Sequence, residues 1–499
     1  LNPRGSKISN NGKYMINEER TVELKQLYKS VLGGDFNKLM GEGYKPRADV
    51  SPISVKHPFV WKHKDRNVEF SIHSWRFLNP FFSKYLDTLD FTYIELALEF
   101  IRSWSEYEAS GAKNTFIWYD MATGLRSIAL AFITEVVRDG NIELSQADVE
   151  LLEGLASKHI KNLTIQENVT TGNHAIYQIL GLRLLSLAKS DETTLEYCEQ
   201  NIERLIAHSF DENYVNTENS PFYHDYNIGL LRQLRGELFP HETNKINNIL
   251  NNGNAISGWL TDPDGAFFCI GDTEGKGKPI RGVGPFDKVS ASVKHVHKDL
   301  HQSGYIIVRT HPRATSSENL ALIFHATNRS HVHSHADHLS FILYRKGVEL
   351  LTDSGKYTYN YDAWRDYFVS DRAHNVVGLS DITFLPKDIA VGAAKLSPIQ
   401  CDHDSYILSG EVQKGDSFYF QRTLKYVPDT SIEIVDSVKN SSGSTIEVRV
   451  HLGIDVHCKL ESNELKLFKG SALLGRLVPD TPYKNITIEK GKGLDNKKI

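Results

Sequence analysis

The sequence predicts a multidomain α and β protein, in which a helical N-terminal domain precedes an antiparallel β-sandwich. Two observations lead to this prediction. Apolar residues recur at helical spacing up to about residue 275, and they alternate along short segments after about residue 285. A chain of 499 residues also has room for two or three domains of roughly 100–200 residues each. We place the linker in the Gly- and Lys-rich stretch 275–284.

The N-terminal half contains a series of segments with one apolar face. Ser145-Gln-Ala-Asp148 is typical of a capping box, and the helix that it opens carries Leu152 and Leu155 on one side. The other predicted helices span residues 92–104, 124–137, 174–188 and 227–238. Successive helices with short polar links favour antiparallel hairpins, as in a bundle or a helical toroid.

The C-terminal half shows the two-residue period of strands. Segments 431–438 and 445–452 place their apolar side chains on one face, and turn residues 440–443 separate them. Further strands are predicted at residues 320–326, 339–344, 418–426 and 464–468. Many strands with turn residues between them and few helices indicate an antiparallel β-sandwich.

Composition and charge argue against several classes of protein. The formal net charge of −5, without a long basic block, argues against a general nucleic-acid binder, although a cleft on such a protein can still be locally basic. The chain contains no run of about 18 apolar residues, so we expect no membrane span. Its four cysteines form no CxxC pair, which argues against a zinc-thiolate site or a disulfide scaffold.

The N-terminal residues carry little information about the native compartment. No signal peptide is visible, because the charged-then-apolar pattern is missing. Pro3-Arg-Gly-Ser6 resembles the remnant of a protease site from recombinant expression, and we expect residues 1–14 to form a flexible tail. Since a native signal peptide could have been removed, the compartment stays open.

The most distinctive segment is His331-Val-His-Ser-His-Ala-Asp-His338. We predict a strand here, in which His331, His333, His335 and Asp337 share one face and His338 points to the other. Such residues are unusual in a core, since strand cores prefer Val, Ile and Phe and buried ionisable groups need partners. A metal site, a catalytic constellation and a solvated outer face all fit the pattern.

Two motifs follow this segment in order, Asp353-Ser-Gly355 and Ala373-His-Asn375. Together, residues 331–377 resemble the signature block of the heparinase II/III-like polysaccharide lyases, which carry H-x-H-x-D, D-S-G and A-H-N in this order. The resemblance implies an incomplete (α/α) toroid domain at residues 15–275 and a β-sandwich domain at residues 285–499. It also implies cleavage of a uronic-acid-containing polysaccharide by β-elimination.

The same resemblance implies a cofactor. In the family, a divalent metal is held by the second histidine of H-x-H, the turn aspartate and the A-H-N histidine, which correspond to His335, Asp353 and His374. Two imidazoles and a carboxylate suit zinc chemically, with calcium as the alternative. We expect a structural role for this metal, while the first histidine of H-x-H, His333, takes part in proton transfer.

Two segments of the N-terminal half also resemble the family. Thr170-Thr-Gly-Asn-His-Ala175 offers Asn173 and His174 to bind the uronate carboxylate, with a helix N-cap as the alternative role of the asparagine. Glu218-Asn-Ser-Pro-Phe-Tyr-His224 resembles the segment with the catalytic phenol, which assigns this role to Tyr223 rather than Tyr226. Taken alone, these tyrosines could equally be packing residues.

Six further residues are candidates for contacts with the substrate, and each has a structural alternative. For Arg126, the alternative is a surface ion pair with Asp120. For Arg365 and Arg372, the alternative is a structural salt bridge. The candidates are Trp118, Asp120, Arg126, Glu218, Arg365 and Arg372.

The partner implied is an acidic polysaccharide, and Trp364-Arg-Asp-Tyr-Phe368 favours a heparin- or heparan-sulfate-like glycosaminoglycan over alginate or a bacterial capsule polymer. The resemblance favours a secreted or periplasmic protein. Three other functions stay open: a glycoside hydrolase, which would need paired carboxylates, a metal-dependent hydrolase with an open coordination position, and a non-catalytic carbohydrate-binding protein of the same fold.

Overall fold

The chain folds as two compact units in a computed structural model. The first unit comprises Leu1–His208 and Leu230–Ile246, and the second comprises Ser209–Gly229 and Asn247–Ile499. The expected linker at 275–284 lies outside the described residues, as does most of the expected tail at 1–14. The structure describes residues 7–8, 14–15, 18–28, 31–47, 50–234, 238–274, 294–311, 319–359, 362–402, 405–480, 483 and 485–489.

Helices dominate the N-terminal part of the chain. Among the described helices, none is both long and apolar enough to cross a membrane. In chain order they are α1 (Glu18–Tyr28), α2 (Phe36–Glu42), α3 (Arg66–His73), α4 (Asn79–Thr88), α5 (Thr92–Ala109), α6 (Asp120–Asp139), α7 (Gln146–Leu163), α8 (Gly172–Lys189), α9 (Glu192–Ser209), α10 (Pro221–Leu231), α11 (Thr243–Trp259) and α12 (Ala363–Val369).

Most predicted helices are confirmed within longer ones. Helix α7 begins where the capping box predicts, and the side chain of Ser145 accepts a hydrogen bond of 3.2 Å from the backbone N–H of Asp148. The helix predicted at 227–238 is wrong in its bounds, because α10 begins at Pro221 and ends at Leu231. Proline suits the first position of a helix, where no backbone N–H is needed.

A glycine pair sets the packing of α6 against α8. A Cβ at Gly124 would lie 2.5 Å from the backbone oxygen of Tyr177, and a Cβ at Gly181 would lie 2.1 Å from the backbone oxygen of Gly124. Both distances are far below van der Waals contact, so only glycine allows the two backbones to approach this closely. Much of α6 and α8 is buried as a result.

Antiparallel strands make up most of the remaining chain. Strands β3 to β7 form one sheet in sequential order, while β10 to β13 form a second sheet in which β9 also pairs with β11. In chain order the strands are β1 (Lys7–Ile8), β2 (Tyr14–Met15), β3 (His295–Leu300), β4 (Tyr305–Thr310), β5 (Leu320–His325), β6 (Ser340–Arg345), β7 (Val348–Leu351), β8 (Val377–Leu379), β9 (Ala394–Leu396), β10 (Gln400–Asp402), β11 (Ser405–Lys414), β12 (Phe418–Val427), β13 (Ser431–Asn440), β14 (Ile446–Val448), β15 (His457–Glu461), β16 (Glu464–Lys469) and β17 (Ala472–Leu477).

Three smaller pairings complete the described strands. Strands β8 and β14 pair, β15 to β17 form a three-stranded sheet, and β1 pairs with β2 inside the expected tail. The predicted strands at 320–326, 339–344, 418–426, 431–438 and 464–468 are confirmed to within a few residues. The strand predicted at 445–452 is wrong in its bounds, because only Ile446–Val448 forms a strand, which pairs with β8. Helices followed by antiparallel sheets confirm the predicted fold class. All four cysteines are free, as expected.

The sheet β3–β7 is buried on both faces. Alternate residues such as Phe324 and Phe341 pack into a core with Leu408 and Phe420 of the second sheet. The opposite residues, such as Ile323, pack into another core with residues from 215 to 270. Segments on the N-terminal side of the expected linker therefore fold with the sandwich, because the sheet needs a second apolar cover.

The strand predicted at His331–His338 is wrong. These residues lie in a loop between β5 and β6, which we call the histidine loop (residues 326–339). His333 adopts a left-handed backbone conformation with a φ of 55°, which no strand residue adopts. His331 is exposed while His335, Asp337 and His338 are buried, so the predicted sharing of one face also fails. In the loop, His335 and Asp337 both reach partners in one other segment, Asp272 and the backbone N–H of Gly271.

Candidate active site

Two side chains of the second unit form the centre of the candidate site. The ring of Tyr223, in the first turn of α10, stacks on the imidazole of His333, with ring centroids 3.4 Å apart and an interplanar angle of 8°. The Tyr223 hydroxyl lies 2.5 Å from the hydroxyl of Tyr359, which in turn lies 3.2 Å from Nδ1 of His333. The structure therefore brings together the two residues that the sequence predicts for proton transfer.

Burial controls the protonation of the tyrosines. It raises the pKa of Tyr223 well above its ordinary value, although the hydrogen bond with Tyr359 acts in the opposite direction. Burial likewise raises the pKa of Tyr359. Both phenols therefore hold their protons at neutral pH. Tyr359 was not predicted as a site residue, because Tyr359 follows the Asp-Ser-Gly turn in a segment without periodicity.

Glu218 is buried beside the stacked pair. Its Oε2 lies 3.6 Å from Nε2 of His333, and only 3% of the residue is exposed. Glu218 was predicted to contact substrate, and the structure places its carboxylate beside the imidazole of His333. The next residue, Asn219, anchors the histidine loop, since its Nδ2 donates to the backbone oxygens of Ser330 and Val332 at 2.8 and 3.0 Å.

Asp272 is a central residue that the sequence analysis missed. Its carboxylate lies 3.0 Å from Nδ1 of His333 and 3.1 Å from Nε2 of His335. Arg365 binds both carboxylate oxygens through its two terminal nitrogens. Burial alone would raise the pKa of Asp272, but the hydrogen bonds from the histidines and the arginine hold it well below its usual range. Asp272 stands alone in Ile270-Gly-Asp-Thr273, so no motif in the sequence marks it as a site residue.

The two arginines predicted to meet acidic sugars are engaged within the protein. Arg365 pairs with Asp272, and only 17% of its side chain is exposed. Arg372 donates from Nε to the hydroxyl of Thr383 at 2.6 Å and from Nη2 to the backbone oxygen of Ser380 at 2.9 Å. Arg365 thus forms the structural salt bridge that was its alternative role, whereas the contacts of Arg372 are with a hydroxyl and a backbone carbonyl instead of a carboxylate.

The three residues expected to hold a metal lie together and are buried. Nδ1 of His374 is 2.9 Å from Oδ1 of Asp353, and the rings of His335 and His374 have centroids 5.4 Å apart. Among the described residues, two overlapping groups have candidate ligand atoms that all lie within 4.8 Å of one another: His335, Asp337 and His374, or His325, Asp337 and Asp353. Asp337, which was not expected to be a ligand, belongs to both, and the expected ligands His335, Asp353 and His374 are divided between the two groups.

Several atoms of this cluster are suited to a cation. Nδ1 of His335, Nε2 of His374 and Oδ1 of Asp337 are buried without a hydrogen-bond partner. Burial raises the pKa of Asp337 to about 7, whereas the charge of His374 holds the pKa of Asp353 at about 2 against the effect of its burial. Buried polar atoms without partners are costly. A divalent cation would satisfy them, so the residues present fit the implied metal.

The first unit carries the residues expected to bind a carboxylate. Asn173 and His174 lie in the first turn of α8, and the N-cap of this helix is Thr171, so the N-cap alternative for Asn173 does not apply. Nδ1 of His174 lies 3.1 Å from Oδ2 of Asp120. Asp120 was expected to contact substrate, and the structure places it as the partner that orients His174.

Arg126 is fully buried in the first unit. It donates from Nε to His159, from Nη1 to the backbone oxygen of His73, and from Nη2 to that of Ile117, at 3.0, 2.7 and 2.5 Å. Its guanidinium also lies 5.6 Å from the ring centroid of Trp118. Neither the expected substrate contact nor the alternative surface ion pair matches this position, because every polar group of Arg126 faces the core.

Residues 293–493 match the family described as heparinase II/III-like, C-terminal. This range contains the histidine loop and all three residues expected to hold the metal, which confirms the resemblance found in the sequence. Among curated protein sequences, none matches significantly.

Solved structures of polysaccharide lyases share the fold. A heparinase III structure is similar with a TM-score of 0.65 and 16% identity, over 93% of this chain and 77% of the other. Heparan sulfate lyase HepC from Pedobacter heparinus, as a mutant, gives a TM-score of 0.57 and 14% identity, over 90% and 73% of the two chains. These similarities confirm the fold of a helical toroid followed by a β-sandwich.

Proposed function

We propose that this chain, whose residues 293–493 match the heparinase II/III-like C-terminal family, is a polysaccharide lyase that cleaves a heparan-sulfate-type glycosaminoglycan by β-elimination. One observation of the site carries the mechanism: Tyr223 stacks on His333, and its hydroxyl joins a hydrogen-bonded chain through Tyr359 back to the same imidazole. A phenol and an imidazole held together form an acid–base pair, which is what the elimination requires.

The reaction breaks the bond between carbon 4 of a uronate and its glycosidic oxygen. A base takes the proton from carbon 5, and the electron pair left there forms the carbon 4–5 double bond as the glycosidic oxygen leaves. An acid protonates that oxygen, so no water is consumed. The carbon 5 proton is only weakly acidic because the adjacent carboxylate resists further negative charge, and this charge must be neutralised first.

We assign the acid role to Tyr223 and the base role to His333. Burial raises the pKa of Tyr223, so its phenol carries the proton that the leaving oxygen needs. The Nδ1 side of His333 is held by Asp272, which leaves Nε2 for proton transfer. Glu218, 3.6 Å from that Nε2, would stabilise the imidazolium that forms.

Asn173 and His174 would neutralise the uronate carboxylate. An amide and an imidazole can both donate hydrogen bonds to it, and such donors gain strength as charge develops. The Asp120 carboxylate beside Nδ1 of His174 fixes the orientation of that ring. These two roles come from the family resemblance, and the chemistry of the side chains fits them.

A divalent cation, zinc by preference, would be held by His335 and His374 together with buried carboxylates of the same cluster. When bound, it would compensate the negative charge of Asp337 and Asp353 and cross-link the histidine loop to the turn that carries Asp353. We assign it a structural role. The proton transfers are made by the side chains of Tyr223 and His333.

The substrate class is supported by the names of the similar structures. They include a heparinase III and a heparan sulfate lyase, and Trp364-Arg-Asp-Tyr-Phe368 favours the same class. A polymer of this kind lies outside the cell, which agrees with a secreted or periplasmic lyase.

A panel of acidic polysaccharides tests the proposal. We expect heparan sulfate to yield product with ultraviolet absorbance from the carbon 4–5 double bond, and hyaluronan, chondroitin and alginate to yield at least tenfold less. Preferential cleavage of alginate would overturn the substrate class while leaving the lyase chemistry intact. New reducing ends without absorbance would indicate a hydrolase, and binding without cleavage a non-catalytic protein.

A further inference from the structure

Asp272 connects the two histidines to which the candidate site assigns different tasks. We propose that Asp272 is the positioning residue of the site, which holds the imidazoles of His333 and His335 in opposite tautomers through its two carboxylate oxygens. The inference rests on the proposed function, since it gives His333 its catalytic orientation. The tautomers of the two imidazoles can be measured without any assay of activity.

The hydrogen bonds define which nitrogen of each ring carries the proton. Oδ2 of Asp272 is 3.0 Å from Nδ1 of His333, and Oδ1 is 3.1 Å from Nε2 of His335. An ionised carboxylate only accepts hydrogen bonds, so both nitrogens must donate. The neutral form of His333 therefore has its lone pair on Nε2, whereas the neutral form of His335 has it on Nδ1.

In each ring, the nitrogen that does not donate to Asp272 lies where its proposed role requires it. Nε2 of His333 is on the side of Glu218 and belongs to the ring that stacks on Tyr223, of which 17% is exposed. Nδ1 of His335 is buried without a hydrogen-bond partner, within the group that could hold a cation. The single carboxylate of Asp272 thus leaves Nε2 of His333 free for proton transfer and Nδ1 of His335 free for a metal. Carboxylates that accept from histidine ligands commonly fix the ring in this way.

The backbone around Asp272 is fixed to the histidine loop. Its N–H donates to the backbone oxygen of His333 at 3.1 Å. The preceding residue must be glycine, since Gly271 has a φ of 54° and a Cβ there would lie 2.5 Å from the same oxygen of His333. Thr273 continues the connection, because its hydroxyl lies 2.9 Å from that of Ser220, at the start of α10.

Arg365 holds the carboxylate itself in place. It binds Oδ1 and Oδ2 with its two terminal nitrogens, so the plane of the carboxylate cannot rotate without breaking one contact. The asparagine in D272N has one oxygen and one N–H₂ group. It can accept from only one of the two histidines and presents a donor to the other, which is the change that isolates the proposed role.

Kinetics of D272N give the first test. We expect kcat to fall about 10–100-fold with KM changed less than threefold, because substrate contacts are intact while the imidazole loses its orientation. D148N is the matched control, since Asp148 also forms a bidentate pair with an arginine, Arg102, between α5 and α7 of the first unit. D148N should keep the kcat of the parent.

A double variant shows whether Asp272 acts through His333. In an H333A background, D272N should change kcat less than twofold, because the group that it positions is gone. An additional loss of tenfold or more would mean that Asp272 acts by another route, and it would overturn the proposal.

Nitrogen-15 NMR of selectively labelled histidines tests the geometry independently of the proposed function. In the parent protein, His333 should show the tautomer protonated at Nδ1 and His335 the one protonated at Nε2. D272N should shift at least one ring to the other tautomer or to a mixture. If both rings keep their tautomers in D272N, the proposal fails, even if the protein is an active lyase. If the parent shows no lyase activity but D272N shifts the tautomers, the positioning role stands and the proposed function fails.

R365Q provides a second variant if D272N does not fold. It keeps the carboxylate but removes the clamp, so we expect about a tenfold lower kcat and weaker tautomer preference of both rings. Unchanged kcat together with unchanged tautomers in R365Q would contradict the inference.

Discussion

The phenol ring of Tyr223 lies against the imidazole of His333 at a centroid distance of 3.4 Å, nearly parallel. The two residues come from a helix and from a loop that are far apart in the chain, so their contact exists only in the folded second unit. It places a phenol that burial keeps protonated next to an imidazole whose Nδ1 is bound by Asp272. This relationship underlies the assignment of the site.

Tyr223→Phe is expected to reduce kcat about 10²–10⁴-fold while KM changes little, because the ring still stacks but the leaving oxygen has no proton donor. Steady-state assays of the unsaturated product measure this. Tyr226→Phe is the matched control on the same helix and should retain most activity. Equal losses in the two variants would show that Tyr223 acts through packing rather than through its hydroxyl.

The purified protein is expected to contain about one divalent cation per chain, and chelation should lower Tm by more than about 5 °C, because binding to the folded state alone adds stability. Elemental analysis and thermal unfolding measure these two effects. His374→Ala should lose the cation. His331→Ala removes an exposed histidine of the histidine loop and should retain the cation. A full metal content in His374→Ala would contradict the assigned cluster.

Arg126→Lys should destabilise the protein by about 2–5 kcal/mol, because an ammonium group cannot replace three hydrogen bonds that leave the guanidinium in different directions. Chemical denaturation measures the loss, and KM of the folded fraction should stay unchanged. A raised KM with unchanged stability would instead restore Arg126 as a substrate contact. Arg138→Lys, on the same helix but half-exposed, is the control and should cost less than about 1 kcal/mol.

Acid should destabilise the first unit through His73. This residue is buried as a neutral ring, since Trp104 donates to its Nδ1 at 3.2 Å and its Nε2 faces the backbone oxygen of Trp61 at 2.8 Å. Burial lowers the pKa of His73 from 6.5 to about 4. The unfolded chain therefore binds a proton at a higher pH than the folded one, and stability falls as pH drops from 6.5 to 4.

The loss from this residue is on the order of 3 kcal/mol across that interval. Tryptophan fluorescence during urea unfolding at several pH values measures it, and His73→Gln should flatten the slope between pH 6.5 and 4. His57→Gln removes a half-exposed histidine of the same unit and serves as the control. A slope that is the same in His73→Gln and in the parent would exclude this source of acid sensitivity.

Much of this protein could be predicted from local sequence patterns. Helical periodicity located α5, α6 and α8, and the capping box located the start of α7. Two-residue alternation located the long strands β12 and β13 but not β11. These predictions succeed because helix and strand periods repeat within one segment and depend on which face is buried. The three motifs between His331 and Asn375 likewise indicated the family before any contact was known.

Other features depended on tertiary contacts. Periodicity suggested a strand at the histidine segment, but buried imidazoles and carboxylates need partners from several directions, which only a loop supplied. Arg126 resembled a surface residue, although its hydrogen bonds lead to carbonyl groups of distant segments. Asp272 and Tyr359 have no local pattern, since their roles arise from side chains more than 20 residues away.

The sequence by itself determined that helices precede antiparallel strands, indicated the resemblance to the heparinase II/III-like family, and named Tyr223 and His333 as candidates for proton transfer. Only the tertiary structure decided how these residues are oriented. It placed Tyr223 on His333, gave both histidines a common carboxylate in Asp272, and turned Arg365 from a sugar contact into the clamp of that carboxylate. The physical reason is that secondary structure follows from short-range periods, whereas the tautomer and orientation of a buried ring follow from the partners that folding brings to it.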